Sequence, residues 1–153
     1  MSRPFPRKCA TCRERAVQPV RLDSYATTIE HEGRSYELTL ADVPGTRCDV
    51  CQTLILDESV SDRIDDQLRN SVGLLYPGEI KNRREALGLT QGAVANALSV
   101  GEATFARWES GAQIQPRGMD RFLRAFLDLP DLRLYLAGHP LPVAISAVNE
   151  LAR

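Results

Sequence analysis

Long apolar runs are missing from this chain of 153 residues. No stretch approaches the roughly 20 consecutive apolar residues that a membrane-spanning helix needs, so no membrane partner is expected. An excess of charge of one sign is missing too. The 19 Lys and Arg stand against 20 Asp and Glu, a net charge of −1. Bulk electrostatics therefore gives no pull toward nucleic acid, and any basic surface must be local. The chain has only two histidines, no G-x-S-x-G and no phosphate-binding loop, which leaves little for an enzyme to work with. Nothing at the N-terminus resembles a secretory signal, so the expected setting is cytoplasmic, with thiols kept reduced. Repeats and low-complexity segments are also lacking. What remains is 43% hydrophobic residues, enough for one ordinary domain or two small ones.

Cysteine is scarce but ordered. The four cysteines stand in two matched pairs, Cys9-Ala-Thr-Cys12 and Cys48-Asp-Val-Cys51. Two C-x-x-C knuckles supply four thiolates in tetrahedral array, and a metal with all four positions filled is closed to substrate. The pattern points to one structural zinc held by Cys9, Cys12, Cys48 and Cys51. Tetrathiolate iron remains an alternative, because such sites hold either metal. Two disulfides fit poorly with a reducing compartment. A thioredoxin-like redox motif would need a single C-x-x-C within a βαβ pattern.

The stretch between the knuckles reads as β. Tyr25–Ile29 and Ser35–Leu40 are rich in β-branched and aromatic residues, and 31–34 supplies a glycine for a positive φ, so a hairpin is expected. Pro44-Gly45 is read as a second turn, returning the chain to Cys48. His31 is read as a solvated turn residue, not a fifth ligand, and Met1–Lys8 as a loose tail. Apolar residues are too few here for a full core, which is where metal-binding free energy becomes folding free energy.

After Leu54–Leu56 the period changes. Val60, Ile64, Leu68, Val72 and Leu75 recur at helical spacing, predicting a helix over 57–71 with Asp57 or Ser59 as cap. The opposite face, with Asp62, Arg63, Asp65, Asp66 and Arg69, is read as solvated. Tyr76-Pro77-Gly78 stops that helix and starts the next segment. The boundary is placed there, giving domains 1–76 and 77–153.

In the second half, a helix from Glu79 ends before Gly88. Thr90 caps a short helix over 91–98, the turn Ser99-Val100-Gly101 follows, and a further helix runs from Glu102 to Ser110 before Gly111. Two short helices joined by a tight turn containing glycine form a helix-turn-helix signature, whose second helix enters the major groove. Leu89, Val94, Leu98, Val100, Phe105 and Trp108 fill the middle.

Residues 87–91 (Leu-Gly-Leu-Thr-Gln), 94–98 (Val-Ala-Asn-Ala-Leu) and 105–111 (Phe-Ala-Arg-Trp-Glu-Ser-Gly) resemble the phage-repressor (Cro-like, XRE) helix-turn-helix family. That resemblance implies five helices, which residues 78–136 would supply. With the double C-x-x-C upstream, the layout over 9–136 resembles the MqsA-type (YgiT-type zinc finger) antitoxins. It implies an α+β chain, a small tetrathiolate zinc-bound β domain followed by an all-α five-helix helix-turn-helix domain. It further implies that the zinc domain binds a toxin, a ribonuclease. The C-terminal domain would form a homodimer and repress its own operon by binding double-stranded operator DNA.

The same resemblance assigns Gln91 to the DNA backbone, places Glu102, Ala103 and Thr104 where the recognition helix meets the groove, and puts Arg107 one turn on. Arginine bidentate to guanine is the commonest specific base contact, so Arg107 is the leading candidate. Ala103 departs from the antitoxin pattern, where an asparagine suited to adenine can stand, and offers only apolar contact. Glu102 is anomalous, since a carboxylate facing phosphates is repelled unless it accepts from cytosine or points away. Trp108 is assigned to the core. Arg84 and Glu109 resemble an internal ion pair of phage-repressor domains, against a phosphate-contact role for Arg84. From residue 77 onward nine Lys and Arg face eight Asp and Glu, so affinity must rest on where charge clusters.

Beyond Pro116, Met119, Phe122, Leu123, Phe126 and Leu127 form an apolar stripe, mostly core and partly dimer seam. Asp131–Leu136 predicts a short helix, His139 a loop without partner, and 143–151 one more helix of no assigned task. A stand-alone zinc-containing regulator of the same helix-turn-helix family, without a toxin, is the alternative function.

Overall fold

The computed structural model describes residues 4–139. They fall into two compact units that divide after Tyr76. Four antiparallel strands in the order β1-β2-β3-β4 build the first: β1 (Arg7–Lys8), β2 (Arg15–His31), β3 (Arg34–Cys48) and β4 (Leu54–Leu56). Six helices follow, so the fold is α+β, a cysteine-bearing sheet succeeded by helices.

The hairpin turn is the two-residue link Glu32-Gly33, with φ of 51° and 70° between the paired His31 and Arg34. Positive φ at both central residues suits the right-handed twist of the flanking strands. The strands run far longer than their apolar composition suggests, pairing without a break in direction from His31↔Arg34 to Val17↔Cys48. Arg7 and Lys8, expected in a loose tail, instead pair with Val17 and Arg15.

Pro44-Gly45 is not a turn. Both residues lie inside β3, opposite Arg21 and Val20. The glycine serves a close approach, because a Cβ at Gly45 would sit 2.7 Å from the Ile55 carbonyl oxygen of β4. The Pro44 carbonyl accepts from the Asp57 amide at 3.0 Å, continuing the contact past the end of β4.

Helix α1 (Ser59–Val72) packs on β3. The residue at its N-cap is Glu58, which makes no side-chain cap bond; Asp57, one residue earlier, accepts through Oδ1 from the Ser59 amide at 3.0 Å and hydroxyl at 2.7 Å. Leu40, Val43 and Val60 form the buried cluster, with Leu22, Tyr25, Leu56 and Ile64 around it. Gly73 in the left-handed region stops the helix, its amide and that of Leu74 returning to the carbonyls of Asn70 and Arg69. This Schellman ending comes before Tyr76-Pro77, which therefore only starts the next segment. The charged side of α1 is not simply solvated. Arg63 donates to the carbonyls of Asp42 and Ala41 at 3.0 and 2.5 Å, tying helix to strand. Arg69 is buried beside Asp66, and burial pushes the Asp65 carboxyl above its ordinary range despite the nearby Arg69 charge.

The second unit contains α2 (Pro77–Ala86), α3 (Gln91–Ala97), α4 (Glu102–Ser110), α5 (Arg117–Asp128) and α6 (Pro130–Gly138). Pro77 occupies the first turn of α2, where its missing amide hydrogen costs nothing. Gly88, at φ 67°, ends α2, and Leu89 N–H reaches back to the Arg84 carbonyl. Ile80, Val94, Leu98, Phe105, Trp108 and Leu123 are all nearly sealed from solvent. The predicted stripe on α5 divides: Leu123, Phe126 and Leu127 are buried, whereas Met119 and Phe122 are half-buried. The helix expected over 143–151 lies outside the described residues.

Candidate metal centre and nucleic-acid interface

The two cysteine pairs sit on matching knuckles. In the first, Arg13 N–H bonds to the Cys9 carbonyl and Cys9 N–H to the Glu14 carbonyl. In the second, Gln52 N–H bonds to the Cys48 carbonyl and Cys48 N–H to the Thr53 carbonyl. Arg13 and Gln52 take positive φ, 65° and 59°, so each loop curls its sulfurs to one side. The β2–β3 ladder then joins the knuckles, because Val17 pairs with Cys48 and Asp49 N–H bonds to the Ala16 carbonyl.

All four sulfurs lie within 4.8 Å of one another. Cys9 and Cys51 are 3.6 Å apart, as are Cys12 and Cys48. A disulfide needs about 2.05 Å. A tetrahedron with metal–sulfur bonds of about 2.3 Å has edges of about 3.8 Å, so the donor set fits one four-coordinate ion. Thiol chemistry agrees. The Thr53 hydroxyl, 3.1 Å from Cys51 Sγ, and the Thr53 amide lower the Cys51 thiol to about 6. Amides of Cys12 and Thr11 lower Cys9. At Cys12 the Glu14 amide favours the thiolate, but burial and the neighbouring sulfurs outweigh it and push the thiol up to about 12. Four thiolates this close repel one another, a repulsion that a bound cation relieves. The arrangement is a structural metal site with no open coordination position.

In the helical unit, Thr90 caps α3 by accepting from Ala93 N–H at 3.1 Å. The α3–α4 turn needs one left-handed residue, and Ser99 supplies it at φ 58°. Gly101, the expected glycine of the turn, is extended at φ −67°. Serine pays a strain cost there that glycine would not. Phe105 and Trp108 anchor α4 inward, their rings 6.1 Å apart at 69°. Trp108 is therefore core.

Glu102, Ala103 and Arg107 share the exposed side of α4, and Thr104 is half-buried beside them. The Glu102 carboxylate turns back on α3, where a Cβ at Gly92 would meet its Oε2 at 3.2 Å. Gln91 stands apart on α3, and its Nε2 donates to Glu109 Oε2 at 2.7 Å. That link was not foreseen. The only hint was the neighbouring ion pair: Arg84 Nε and Nη2 meet Glu109 Oε1 and Oε2 at 2.5 and 3.1 Å, both side chains buried. Arg84 also donates to the Leu89 carbonyl at 2.7 Å, and Glu109 raises its pKa above the ordinary arginine value. Arg84 is thus structural, joining α2 to α4, while Gln91 adds α3.

Residues 78–134 match the family model of a helix-turn-helix domain. Over those residues the helical unit is similar to a helix-turn-helix domain, which supports DNA binding. No curated protein matches the chain significantly. What the domain supports is a DNA-binding regulator in preference to an enzyme. Among the described residues no helix is long and apolar enough to cross a membrane.

Replacing Glu109 by Ala leaves the buried Arg84 guanidinium with only the half-exposed Glu85 carboxylate, 3.4 Å away, as counter-charge and releases Gln91. Loss of one partner of a buried pair costs about 3–5 kcal/mol, against at most about 1 kcal/mol for an exposed pair. Urea denaturation of the full chain should therefore show a loss of at least about 3 kcal/mol. A loss below about 1 kcal/mol would mean that the pair is open to solvent.

Proposed function

We propose that the chain is the antitoxin of a type II toxin–antitoxin module, binding its toxin, a ribonuclease, through 1–76 and repressing its own operon as a homodimer through 77–153. The observation that carries this reading is the joining, in one chain, of a four-thiolate knuckle module with a helix-turn-helix unit. The hairpin adds support. Beyond Val17 no strand pairs with the outer side of β2 among the described residues, and β4 covers β3 only at Gly45–Arg47. Open strand edges are templates for β-addition by another chain. Affinity capture of the native full chain should retain a small partner. Variants lacking 1–76 should lose it and still bind DNA, whereas capture by 77–153 alone would reverse the assignment. If no partner appears, the chain is instead the stand-alone regulator.

Zinc is the metal we assign to Cys9, Cys12, Cys48 and Cys51, because thiolate tetrads in tetrahedral array suit it and it has no redox role to play there. Elemental analysis of protein purified under reducing conditions should find about one zinc per chain. Chelation should unfold the knuckle region while the helical unit keeps its far-ultraviolet circular dichroism. Iron, or no metal, rejects the assignment.

On DNA, α4 is the recognition helix. Arg107 reads a base, Ala103 and Thr104 lie on the same face, and Gln91 holds the backbone. Ala103 and Arg107 are one turn apart, and the inward Trp108 holds that face outward. Arg107→Ala should cost about 1–3 kcal/mol on the promoter duplex of the chain's own operon and relax preference at one base pair per half-site. Gln91→Ala should weaken binding to promoter and scrambled duplexes more evenly, since phosphate contacts position without specifying. Titrations at two salt concentrations separate these effects. Undiminished discrimination by Arg107→Ala would show that the register of α4 is wrong.

A further inference from the structure

In the helical unit Glu85 and Glu109 both meet Arg84, Asp120 meets Arg124 and Asp128 meets Arg83. Glu102 holds no such partner. It is the first residue of α4, it is exposed, and among the described residues its carboxylate takes part in no hydrogen bond or ion pair. It lies against α3 beside Gly92, where no donor fixes it. A carboxylate in a first turn offsets the helix dipole, which is reason enough for a glutamate on an ordinary surface helix. On a helix that meets DNA the same charge is repelled by phosphates, and that cost is recovered only where a base donates a hydrogen to it.

Base edges in the major groove narrow the choice. An ionised carboxylate can only accept hydrogen bonds. Guanine presents two acceptors there, N7 and O6, and thymine an acceptor and a methyl group. Adenine presents its N6 donor beside the N7 acceptor, whose lone pair opposes a second carboxylate oxygen. Cytosine alone presents a donor, N4, with no acceptor beside it. We infer that Glu102 accepts from the N4 amine of a cytosine and so specifies a C·G pair in each half-site. The inference rests on the reading of α4 as the recognition helix, whose N-terminal residues reach base edges. Arg107 stands about 7.5 Å further along the axis, at about 1.5 Å of rise per residue. Base pairs are spaced by about 3.4 Å, so the two side chains meet different pairs.

The test compares the full chain with its Glu102→Gln and Arg107→Ala variants on a pool of randomised duplexes, sequencing the fraction that each protein retains. The unaltered chain should enrich cytosine at one position of the half-site. Glutamine pairs bidentately with adenine N6 and N7, so Glu102→Gln should turn that position from cytosine to adenine and change the ratio of the two affinities about 10-fold or more. Arg107→Ala should alter a different position. Persistence of that second preference in Glu102→Gln shows that α4 keeps its place. A Glu102→Gln motif identical to that of the unaltered chain at every position would overturn the inference and leave Glu102 to the helix dipole. So would tighter binding of all duplexes by one common factor, which means that the carboxylate only repels phosphate. Loss of every preference in Glu102→Gln would assign Glu102 to holding α4 and overturn it as well. Enrichment of no motif by any of the three proteins would overturn the recognition-helix reading itself, and the inference with it.

Discussion

A single carboxylate, Glu109, holds three helices to one another. Its two oxygens receive the Arg84 guanidinium from α2 and the Gln91 amide from α3, while its own helix carries the exposed face of the helix-turn-helix. Apolar packing by Phe105, Trp108 and Val94 supplies most of the cohesion, but such contacts are tolerant of small rotations. A bidentate ion pair is not, because its donors and acceptors match in only one relative orientation. The angle at which α4 is presented is thus set by charge geometry inside the unit, and Gln91 is coupled to it.

The sheet unit solves a different problem. Its hairpin is long, thin and half open, and the buried apolar cluster of Leu40, Val43 and Val60 lies at some distance along the ladder from the sulfurs. At the cysteine end only Val17 and the cysteines themselves are packed, with Ala16 beside them. Four sulfurs crowded together would repel as thiolates, so the same residues that leave this end poorly cored also create a demand for a cation. Arg63 and Asp57, through bonds to strand and helix ends, do for the other end what the metal site does here.

Much of this was legible in the residue pattern, and the failures are instructive. The C-x-x-C pairs, the Thr90 cap and the Gly88 and Gly111 stops are local signals in which one residue type answers one backbone need. The strands were cut short because Arg15–Ser24 is polar and includes Pro19, although one edge of β2 is unpaired at that point and tolerates proline. Pro44-Gly45 has the composition of a turn, yet its glycine answers to the approach of β4, a neighbour that no local pattern reveals. Ser99 hides a left-handed conformation that glycine would have announced. The charged side of α1 looked solvated because spacing shows which face a residue shares, not which carbonyls a long side chain can reach. Of the candidate interface, Ala103 and Arg107 lie exposed on one side of α4 as periodicity implies. The tie from Gln91 to Glu109 depends on side chains 18 residues apart and had no signal of its own.

Gly92 lies on the neighbouring helix, yet it governs what the exposed side of α4 displays. Its missing Cβ leaves room for the Glu102 carboxylate, which sits against α3 at one margin of the exposed side that Ala103 and Arg107 share. Any larger residue at position 92 would press that flexible carboxylate outward by a few tenths of an ångström or swing it away altogether. The electrostatic sign at the leading end of α4 is therefore adjustable from the neighbouring helix, through a residue that a search for DNA contacts would pass over.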